Sequence, residues 1–204
     1  MKIICIGRNY IDHAKELNNP VPENPVFFLK PDTALLRRNR PFYYPDFSED
    51  VHYECELVVK INKLGKNIQK QFAHTYYEEI GIGIDFTARD LQSKSKAKGL
   101  PWEIAKAFDN SAPISMEFIS KKEFKDIHSI PFRLDKNGES VQEGSSRNMI
   151  FDIDTLIVYL SKFFTLKTGD LIFTGTPAGV GPIAIGDKLE AYINDRLMLK
   201  CNIK

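Results

Sequence analysis

The most constraining stretch of the sequence is residues 51–59, where two glutamates interrupt a β-strand pattern. Side chains alternate faces along a strand, so Glu54 and Glu56 point the same way and Cys55 points the other way. Two neighbouring carboxylates repel each other unless one is protonated or a cation lies between them. A hard divalent cation with oxygen ligands removes this repulsion, whereas an exposed edge strand leaves both carboxylates in water. The stretch alone leaves both interpretations open.

The composition is that of an ordinary soluble globular protein and argues against several classes of function. The 204 residues are 43% apolar and 27% charged, which suits a single domain over residues 1–204. A net charge of +1 predicts no nucleic-acid partner and no attraction to an acidic membrane. No apolar run reaches the roughly 18 residues of a membrane span, and no signal-peptide pattern starts the sequence. We therefore expect a cytoplasmic protein.

Basic residues and cysteines give no separate indication of a site. Basic residues cluster at 37–40 and 94–98, but neither cluster is interleaved with aromatic residues as in a single-strand binder. The first cluster is expected to be a loop and the second a solvated helix face. Cys5, Cys55 and Cys201 are widely spaced and lack a metal-binding spacing, so we expect buried free thiols in a reducing compartment.

Hydrophobic periodicity predicts a β-rich α+β domain with few short helices. Thr87 with Asp90 resembles a capping box, Gly99 followed by Pro101 ends that helix, and Asp154 is expected to cap a later amphipathic helix. A helix is also compatible with residues 71–79. The expected strands and hairpins are residues 3–6, 26–29, 51–59, 80–84, 132–142 around Asn137-Gly138, 171–173, and 188–193 with 197–203.

His13 and Glu16 are the first candidate catalytic pair. Asn9 or Asp12 is expected to start a short helix, on which residues three apart share a face. A histidine held by a carboxylate is suited to take a proton from water, although such pairs also occur on surfaces without function. The next segment, residues 18–25, contains three prolines and is expected to be a loop, which suggests a lid together with the histidine segment.

Asp85 supplies a third carboxylate immediately before a helix. It ends a strand in which glycine alternates with isoleucine, where it would complete a metal site with the two glutamates. Arg89 and Gln92 lie three residues apart on the following helix and can reach one ligand together. Two lysines stay ambiguous. Lys30 is an active-site cation or a rim charge, and Lys106, in an apolar stretch, extends outward or faces a pocket.

Residues 174–182 form a glycine-rich loop after a predicted strand. The loop lacks the GK[ST] ending and the following helix of a P-loop, so nucleotide binding of that kind is not expected. Glycines allow close approach of the backbone to a small ligand, to which Thr176 would present its hydroxyl. A purely structural loop is equally compatible with this spacing.

In chain order, these motifs resemble the fumarylacetoacetate hydrolase family, most closely its short acylpyruvate hydrolases and oxaloacetate decarboxylases. The resemblance spans essentially the whole chain and implies a mixed β-roll with few short helices, usually a homodimer. The matching pieces are GRNYxxHxxE from Gly7, FLKPxT from Phe28, the ExE pair, DxTARDxQ from Asp85, KGLPWxxAKxF from Lys98, MIF from Met149 and TGTPxGVGP from Thr174.

The resemblance also implies roles for the candidate residues. The family's Mg²⁺ or Mn²⁺ ligands correspond to Glu54, Glu56 and Asp85. The dyad that orients and deprotonates water corresponds to His13 and Glu16, and the lysine that stabilises negative charge on the substrate corresponds to Lys106. The positions that contact substrate carboxylate and carbonyl groups correspond to Arg8, Arg89, Gln92 and Thr176.

These roles predict a divalent-metal-dependent hydrolase that cleaves C–C bonds of 2,4-diketo acids to pyruvate and a carboxylic acid, with oxaloacetate decarboxylation as a second activity. An isomerase or hydratase of 2-oxo-dienoic acids would need the metal but no water-activating dyad, so the presence of His13 and Glu16 favours hydrolysis. A catalytically silent small-acid-binding protein would be expected to lack a metal ligand or Lys106, and all are present.

Overall fold

Short apolar strands interrupted by polar residues are the most abundant regular structure of the fold. A computed structural model describes residues 1–16 and 21–204, so the predicted loop or lid at residues 18–25 lies partly outside the described residues. The strands in these ranges are β1 (Ile3–Gly7), β2 (Val26–Lys30), β3 (Leu35–Leu36), β4 (Val51–Tyr53), β5 (Cys55–Ile61), β6 (Tyr77–Ile84), β7 (Thr87–Ala88), β8 (Ala112–Pro113), β9 (Ile119–Ser120), β10 (Pro131–Lys136), β11 (Glu139–Ser145), β12 (Leu171–Phe173), β13 (Gly181–Pro182), β14 (Lys188–Ile193) and β15 (Arg196–Asn202). The α-helices there are α1 (Ile11–Glu16), α2 (Lys70–Ala73), α3 (Arg89–Lys98), α4 (Glu103–Lys106) and α5 (Ile153–Phe163). The predicted β-rich α+β class is confirmed.

A six-stranded mixed sheet forms the centre of the fold. Its order is β2-β1-β12-β5-β6-β9, in which β1 and β12 are parallel and the other neighbours antiparallel. Ile4 and Leu57 pack into the main core together with the four-stranded sheet β11-β10-β14-β15, while Cys5, Val58 and Phe173 belong to a second cluster. A strand buried on both faces needs apolar residues at successive positions, which explains the unbroken apolar run in β1.

The chain passes from one sheet to another at Glu54. Strand β4 pairs with β13 and β7 in a three-stranded sheet, whereas β5 lies between β12 and β6 in the six-stranded sheet. Cys55 pairs with Ile84, and just beyond this pair the Asp85 amide donates to the Glu54 carbonyl at 2.8 Å. The strand register therefore brings Asp85 beside the two glutamates.

The cap of α5 differs from the predicted one. Asp152, not Asp154, is the N-cap residue, and its carboxylate accepts a hydrogen bond from the Thr155 amide at 2.7 Å. Asp154 lies in the first turn, where it accepts from the Tyr77 hydroxyl at 3.1 Å. Both aspartates precede the same apolar stripe, so local pattern alone does not choose between them.

The predicted capping box at the start of α3 does not form. Ala88 is the N-cap residue, Thr87 lies in β7, and the Asp90 carboxylate accepts a hydrogen bond from the Ser48 hydroxyl at 2.7 Å. Pairing of β7 with β4 positions the chain at this point, so a tertiary contact sets the start of the helix. The predicted end is confirmed, because Gly99 follows the last turn with a φ of 64°.

Strand pairing confirms two further predictions and overturns a third. The turn at Asn137 and Gly138 joins β10 to β11, with φ angles of 57° and 89° that suit a two-residue hairpin turn. The final hairpin is likewise confirmed as β14 and β15. The helix suggested for residues 71–79 is mostly wrong, because it stops at Ala73 and β6 starts at Tyr77 to pair with β5.

The cysteines are free and buried, as predicted from their spacing. Burial raises the pKa of the Cys5 and Cys55 thiols and raises the pKa of Cys201 to about 12, so all three are kept as unreactive thiols. Among the helices formed by residues 1–16 and 21–204, none has both the length and the apolar character required to cross a membrane.

Candidate metal centre and active site

Three buried carboxylates meet where β5 begins and β6 ends. Glu54, Glu56 and Asp85 are 6%, 1% and 1% exposed, and each offers a ligand oxygen within 4.8 Å of the other two. Oxygen donors at such spacing suit magnesium or manganese. The exposed-edge interpretation of the two glutamates is wrong, since β5 is an interior strand and both side chains are buried.

Lys106 faces these carboxylates rather than solvent. Its Nζ lies 2.8 Å from Glu54 Oε2 and 2.7 Å from Asp85 Oδ2, and it donates to the Thr87 hydroxyl at 2.5 Å. Burial acts to lower the pKa of Lys106, but the charges of Asp85 and Glu54 outweigh it and leave that pKa raised. The ammonium therefore keeps its positive charge inside the pocket.

Lys30 is a second buried cation at the centre, which decides the question that its sequence position left open. Its Nζ lies 2.8 Å from Asp85 Oδ1, donates to the Ser111 hydroxyl at 2.9 Å and also donates to the Lys106 carbonyl. Lys30 thus holds both a candidate metal ligand and the backbone of the second lysine. We refer to Glu54, Glu56, Asp85, Lys30 and Lys106 together as the carboxylate centre.

The pKa values of the two glutamates are shifted in opposite directions. Burial and the charges of Asp85 and Glu54 hold the pKa of Glu56 well above its usual range. Burial also acts to raise the pKa of Glu54, but the charges of Lys106 and Arg89 outweigh it and leave that pKa lowered. Glu56 is therefore the carboxylate whose ionisation depends most on an added cation.

Arg89 and Gln92 lie together beside the centre, as their helical spacing predicts. Arg89 Nη2 lies 2.7 Å from Glu54 Oε1, and its Nη1 donates to Gln92 Oε1 at 2.7 Å. Because the Gln92 oxygen accepts from Arg89, its amide nitrogen is the group left to donate to a ligand oxygen. Arg8 lines the same pocket with a φ of 59°, in the left-handed region that residues other than glycine rarely adopt.

His13 and Glu16 form the predicted pair on α1. Glu16 Oε2 lies 3.1 Å from His13 Nδ1, and Glu16 Oε1 accepts a hydrogen bond from the Gly179 amide at 3.0 Å. The imidazole is buried and lines the pocket. A carboxylate at Nδ1 favours the tautomer with its proton there, which leaves Nε2 as an acceptor and hence a base.

Thr176 lies in the pocket, but its hydroxyl is already bonded within the protein. The hydroxyl donates to the Cys55 carbonyl at 2.9 Å and accepts from Gln142 Nε2 at 2.9 Å. The predicted role of Thr176 as a hydroxyl donor to ligand therefore competes with a bond that holds the glycine-rich loop against β5. The loop is thus structural as well as close to the pocket.

Gln142 is a positioning residue that the sequence did not reveal. Its Oε1 accepts from the Cys55 amide at 2.9 Å, and its Nε2 donates to the Thr176 hydroxyl and to the Pro177 carbonyl at 2.9 and 3.0 Å. One buried amide therefore connects β11, the glycine-rich loop and the residue between the two glutamates. A glutamine in a polar hairpin strand carries no local signal of such a role.

One pocket brings most of the predicted polar residues together, and Glu16, Glu56 and Asp85 lie behind residues that line it. Its polar lining includes Arg8, His13, Glu54, Arg89, Gln92, Lys96, Lys106 and Thr176. Phe28 and Trp102 form an apolar wall. The arrangement combines anionic oxygen ligands, cations that face them and a histidine base, which is the set of groups needed to stabilise a negatively charged intermediate and move a proton.

Known proteins match the chain over nearly its whole length. The sequence profile of the family described as "Fumarylacetoacetate (FAA) hydrolase C-terminal" matches residues 2–204. Oxaloacetate tautomerase YcgM of Escherichia coli (strain K12) is 46% identical over 189 residues, 92% of this chain and 86% of that protein. Mitochondrial oxaloacetate decarboxylase of Dictyostelium discoideum is 44% identical over 193 residues, 94% of this chain and 88% of that protein.

A solved structure matches the fold equally closely. The fumarylpyruvate hydrolase of Pseudomonas aeruginosa, in complex with Mn²⁺ and pyruvate, has a TM-score of 0.93 and 36% identity, covering 100% of this chain and 89% of that one. The mixed β-rich roll implied by the sequence motifs is therefore the fold of this chain. Its relatives are enzymes.

Proposed function

Because the chain belongs to the fumarylacetoacetate hydrolase C-terminal family, we propose that it acts on small 2-oxo acids by stabilising their enolates. The observation that carries the proposal is a cluster of three buried carboxylates, one of which, Glu54, lines a pocket together with Lys106 and His13. Relatives named for oxaloacetate tautomerisation, oxaloacetate decarboxylation and fumarylpyruvate hydrolysis support it, since each reaction passes through an enol or enolate of a 2-oxo acid.

The residues present fit a divalent metal. Glu54, Glu56 and Asp85 would hold Mg²⁺ or Mn²⁺, since their oxygens keep lone pairs beyond those used by the neighbouring donors. The raised pKa of Glu56, caused by burial and the charges of Asp85 and Glu54, reflects a repulsion that such a cation would relieve. When bound, the metal would supply Lewis-acid stabilisation of negative charge on the 2-oxo acid.

The cations of the pocket bind and stabilise the substrate. Arg89 and the amide nitrogen of Gln92 face the space beside the carboxylate centre, where they bind the carboxylate of the 2-oxo acid. The ammonium of Lys106 is fixed by two carboxylates, so it does not need to reorganise when charge develops on the enolate oxygen.

Keto–enol tautomerisation of oxaloacetate is the first candidate reaction. His13 removes a proton from C3 at its Nε2, and the negative charge passes to the 2-oxo oxygen on the Lys106 side, where protonation gives the enol. The identity of 46% to the tautomerase of Escherichia coli supports this choice. Protonation of the enol at C3 by the same imidazole reverses the reaction.

Cleavage of a C–C bond is the second candidate, and the His13–Glu16 pair favours it. In acylpyruvate hydrolysis the imidazole takes a proton from water, which attacks the distal carbonyl and releases a carboxylic acid and the enolate of pyruvate. In oxaloacetate decarboxylation carbon dioxide leaves and the same enolate remains, so no attacking water is needed. Protonation at C3 then gives pyruvate in both reactions.

The test follows oxaloacetate and acetylpyruvate with purified protein, first with Mg²⁺ or Mn²⁺ and then with EDTA. An EDTA-sensitive change in enol absorbance without pyruvate release identifies tautomerisation. Pyruvate release identifies cleavage, and the two substrates rank hydrolysis against decarboxylation. If neither substrate changes in the presence of metal, the proposed reactions are wrong, and an isomerase of 2-oxo-dienoic acids takes their place first and the silent small-acid binder second.

The homodimer and the cytoplasmic location also stay predictions. Light scattering of the purified protein tests the first, and fractionation of cells that express the chain tests the second. A monomer at micromolar concentration would overturn the predicted homodimer without affecting the proposed chemistry.

A further inference from the structure

The basic cluster at residues 94–98 is the solvated helix face that was predicted, since its lysines lie exposed on α3, but Lys96 also borders the mouth of the pocket. Its side chain lines the same pocket as His13 and Lys106. The neighbouring Lys94 and Lys98 are exposed and do not line that pocket. All three lysines are exposed, and Lys96 differs from its two neighbours in that it lines the pocket.

The end of α3 explains how Lys96 is held there. After Gly99 the Leu100 amide donates to the Ser95 carbonyl at 2.9 Å, so the chain reverses and places Trp102 beside the last turn of the helix. Lys96 Nζ lies 5.4 Å from the centroid of the Trp102 indole. A cation over an aromatic face is attracted to it, which favours this position of the side chain.

An aromatic wall joins Lys96 to the carboxylate centre. The Trp102 ring contacts Phe28 edge-on, with 6.2 Å between the ring centroids, and Lys106 Nζ lies 5.1 Å from the Phe28 centroid. The two ammonium groups therefore lie along one wall, with Lys106 at the inner end and Lys96 at the mouth. A ligand anchored at the inner end extends along this wall towards Lys96.

The mouth carries positive charge that the protein does not neutralise. Arg89 and Lys106 are paired with Glu54, but neither Arg8 nor Lys96 forms an ion pair with any carboxylate within residues 1–16 and 21–204. Partial burial, together with the charges of Arg89 and Arg8, lowers the pKa of Lys96, so these cations act on one another. Converging cations without protein partners are relieved by an anionic ligand.

We propose that Lys96 binds the distal carboxylate of a dicarboxylic 2-oxo acid and so selects dicarboxylic over monocarboxylic substrates. The inference rests on the proposed function, because it takes the 2-oxo acid head to lie at the carboxylate centre. The carboxylate next to the 2-oxo group then binds to Arg89 and Gln92, and the distal carboxylate binds to Lys96 at the mouth of the pocket. A monocarboxylic acylpyruvate leaves Lys96 without a partner.

The test compares two acids of five carbons that differ only at the distal end, 2-oxoglutarate with a carboxylate and 2-oxopentanoate with a methyl group. Calorimetry measures the affinity of each for the Mn²⁺-loaded protein. Because one partly exposed ion pair is added, we expect wild type to bind 2-oxoglutarate about fivefold more tightly than 2-oxopentanoate. The Lys96→Met variant should lose this preference and keep its affinity for 2-oxopentanoate. The Lys96→Arg variant should retain the preference.

Lys94→Met is the matched control, since it removes one charge from the same helix outside the pocket, and it should keep the preference. The inference is overturned if wild type shows no preference, if it binds neither acid, or if Lys96→Met weakens both acids equally. Failure of the proposed function looks different. In that case the Lys96-dependent preference persists although oxaloacetate and acetylpyruvate are not turned over.

Discussion

The carboxylate centre and the mouth of the pocket are both charged, but they are built in opposite ways. At the centre each of Glu54 and Asp85 contacts two cationic groups, and all of these side chains are buried or nearly so. At the mouth Arg8 and Lys96 have no carboxylate partner among residues 1–16 and 21–204, and the Lys96 side chain is partly exposed to solvent. The paired cations hold the carboxylates of the centre in position, whereas the cations at the mouth have no such partner and can be neutralised by an anionic group of a ligand.

Removing a carboxylate of the centre should give the largest effect. Glu54→Gln keeps the size of the side chain but removes the charge from one of the three proposed metal ligands. We expect turnover to fall by about 10³-fold or more, as for loss of a group that stabilises developing charge, with Mn²⁺ affinity lowered in parallel. Turnover assays and Mn²⁺ titration measure both quantities.

The control for this change is Glu139→Gln, an exposed glutamate on β11 that should alter neither quantity. Circular dichroism should show both variants folded, because Lys106 keeps its contact with Asp85 when Glu54 is neutral. Unchanged turnover in Glu54→Gln would refute the assignment of the site.

Removing the base on α1 should affect catalysis but not the metal. His13→Ala is expected to lower turnover by about 10² to 10³-fold, the usual contribution of a positioned base, while Mn²⁺ affinity stays as in wild type. The side chain lines the pocket but is not one of the three clustered carboxylates. A parallel loss of metal affinity would contradict the separation of centre and base. Glu16→Gln should give a smaller loss of the same kind.

Lys30→Met should destabilise the protein by about 3 kcal/mol, because it leaves Asp85 with one cation fewer in a buried site. Denaturant unfolding in EDTA measures this loss, and saturating Mn²⁺ should reduce it by supplying a replacement charge. The comparison variant is Lys60→Met, which breaks the surface ion pair with Glu79 and should change stability by less than about 1 kcal/mol. Equal losses in the two variants would contradict the buried role of Lys30.

The pH dependence of metal binding should give the smallest effect. The pKa of Glu56 is raised well above the usual 4.5 by burial and the charges of Asp85 and Glu54, so below this raised pKa a bound metal has to displace a proton there. Mn²⁺ affinity should therefore rise with pH, by at most about tenfold per unit, until the pH passes the raised pKa. Calorimetry at several pH values measures the slope, and Glu56→Gln should abolish it.

The raised pKa of Glu56 has the opposite effect on folding stability when no metal is bound, since stability then falls as pH rises. Because the folded protein binds this proton more tightly than the unfolded chain, the contribution of Glu56 to stability is present below pH 4.5 and declines as pH rises through the raised pKa. Thermal unfolding in EDTA should reveal this decline. A rise in stability with pH over the same range that is absent from Glu56→Gln would show that the pKa is not raised.

Local pattern predicts much of the site because its residues follow strand and helix periodicity. Glu54 and Glu56 share a direction on an extended chain, and His13 and Glu16 share a helix face, so their pairing needed no tertiary information. Asp85 joins them through strand register, which the sequence indicated only by placing a carboxylate at a strand end.

The residues that sequence reasoning missed depend on contacts between distant segments. Lys96 borders the pocket because the chain reverses after Gly99 and returns Trp102 to the helix. Helical spacing alone does not show which side of α3 borders the pocket. Lys30 is buried because α4 and the segment after it pack over the end of β2. Gln142 connects two sheets, a contact that no local pattern indicates. The predicted cap of α5 was wrong by two residues because Asp152 and Asp154 are locally indistinguishable.

Because the chain changes sheet at Glu54, the separation of Glu54 and Glu56 depends on how the two sheets are aligned. One glutamate of the pair lies at the junction of a three-stranded and a six-stranded sheet, and the other lies inside the second. A small rotation of one sheet against the other changes the separation of the two carboxylates, and ions that require near-regular octahedral geometry respond strongly to such changes. If the centre binds Mg²⁺ as proposed, its affinity for that ion is a gauge of sheet alignment, able to register substitutions at Gln142, which bonds to the residue between the two glutamates.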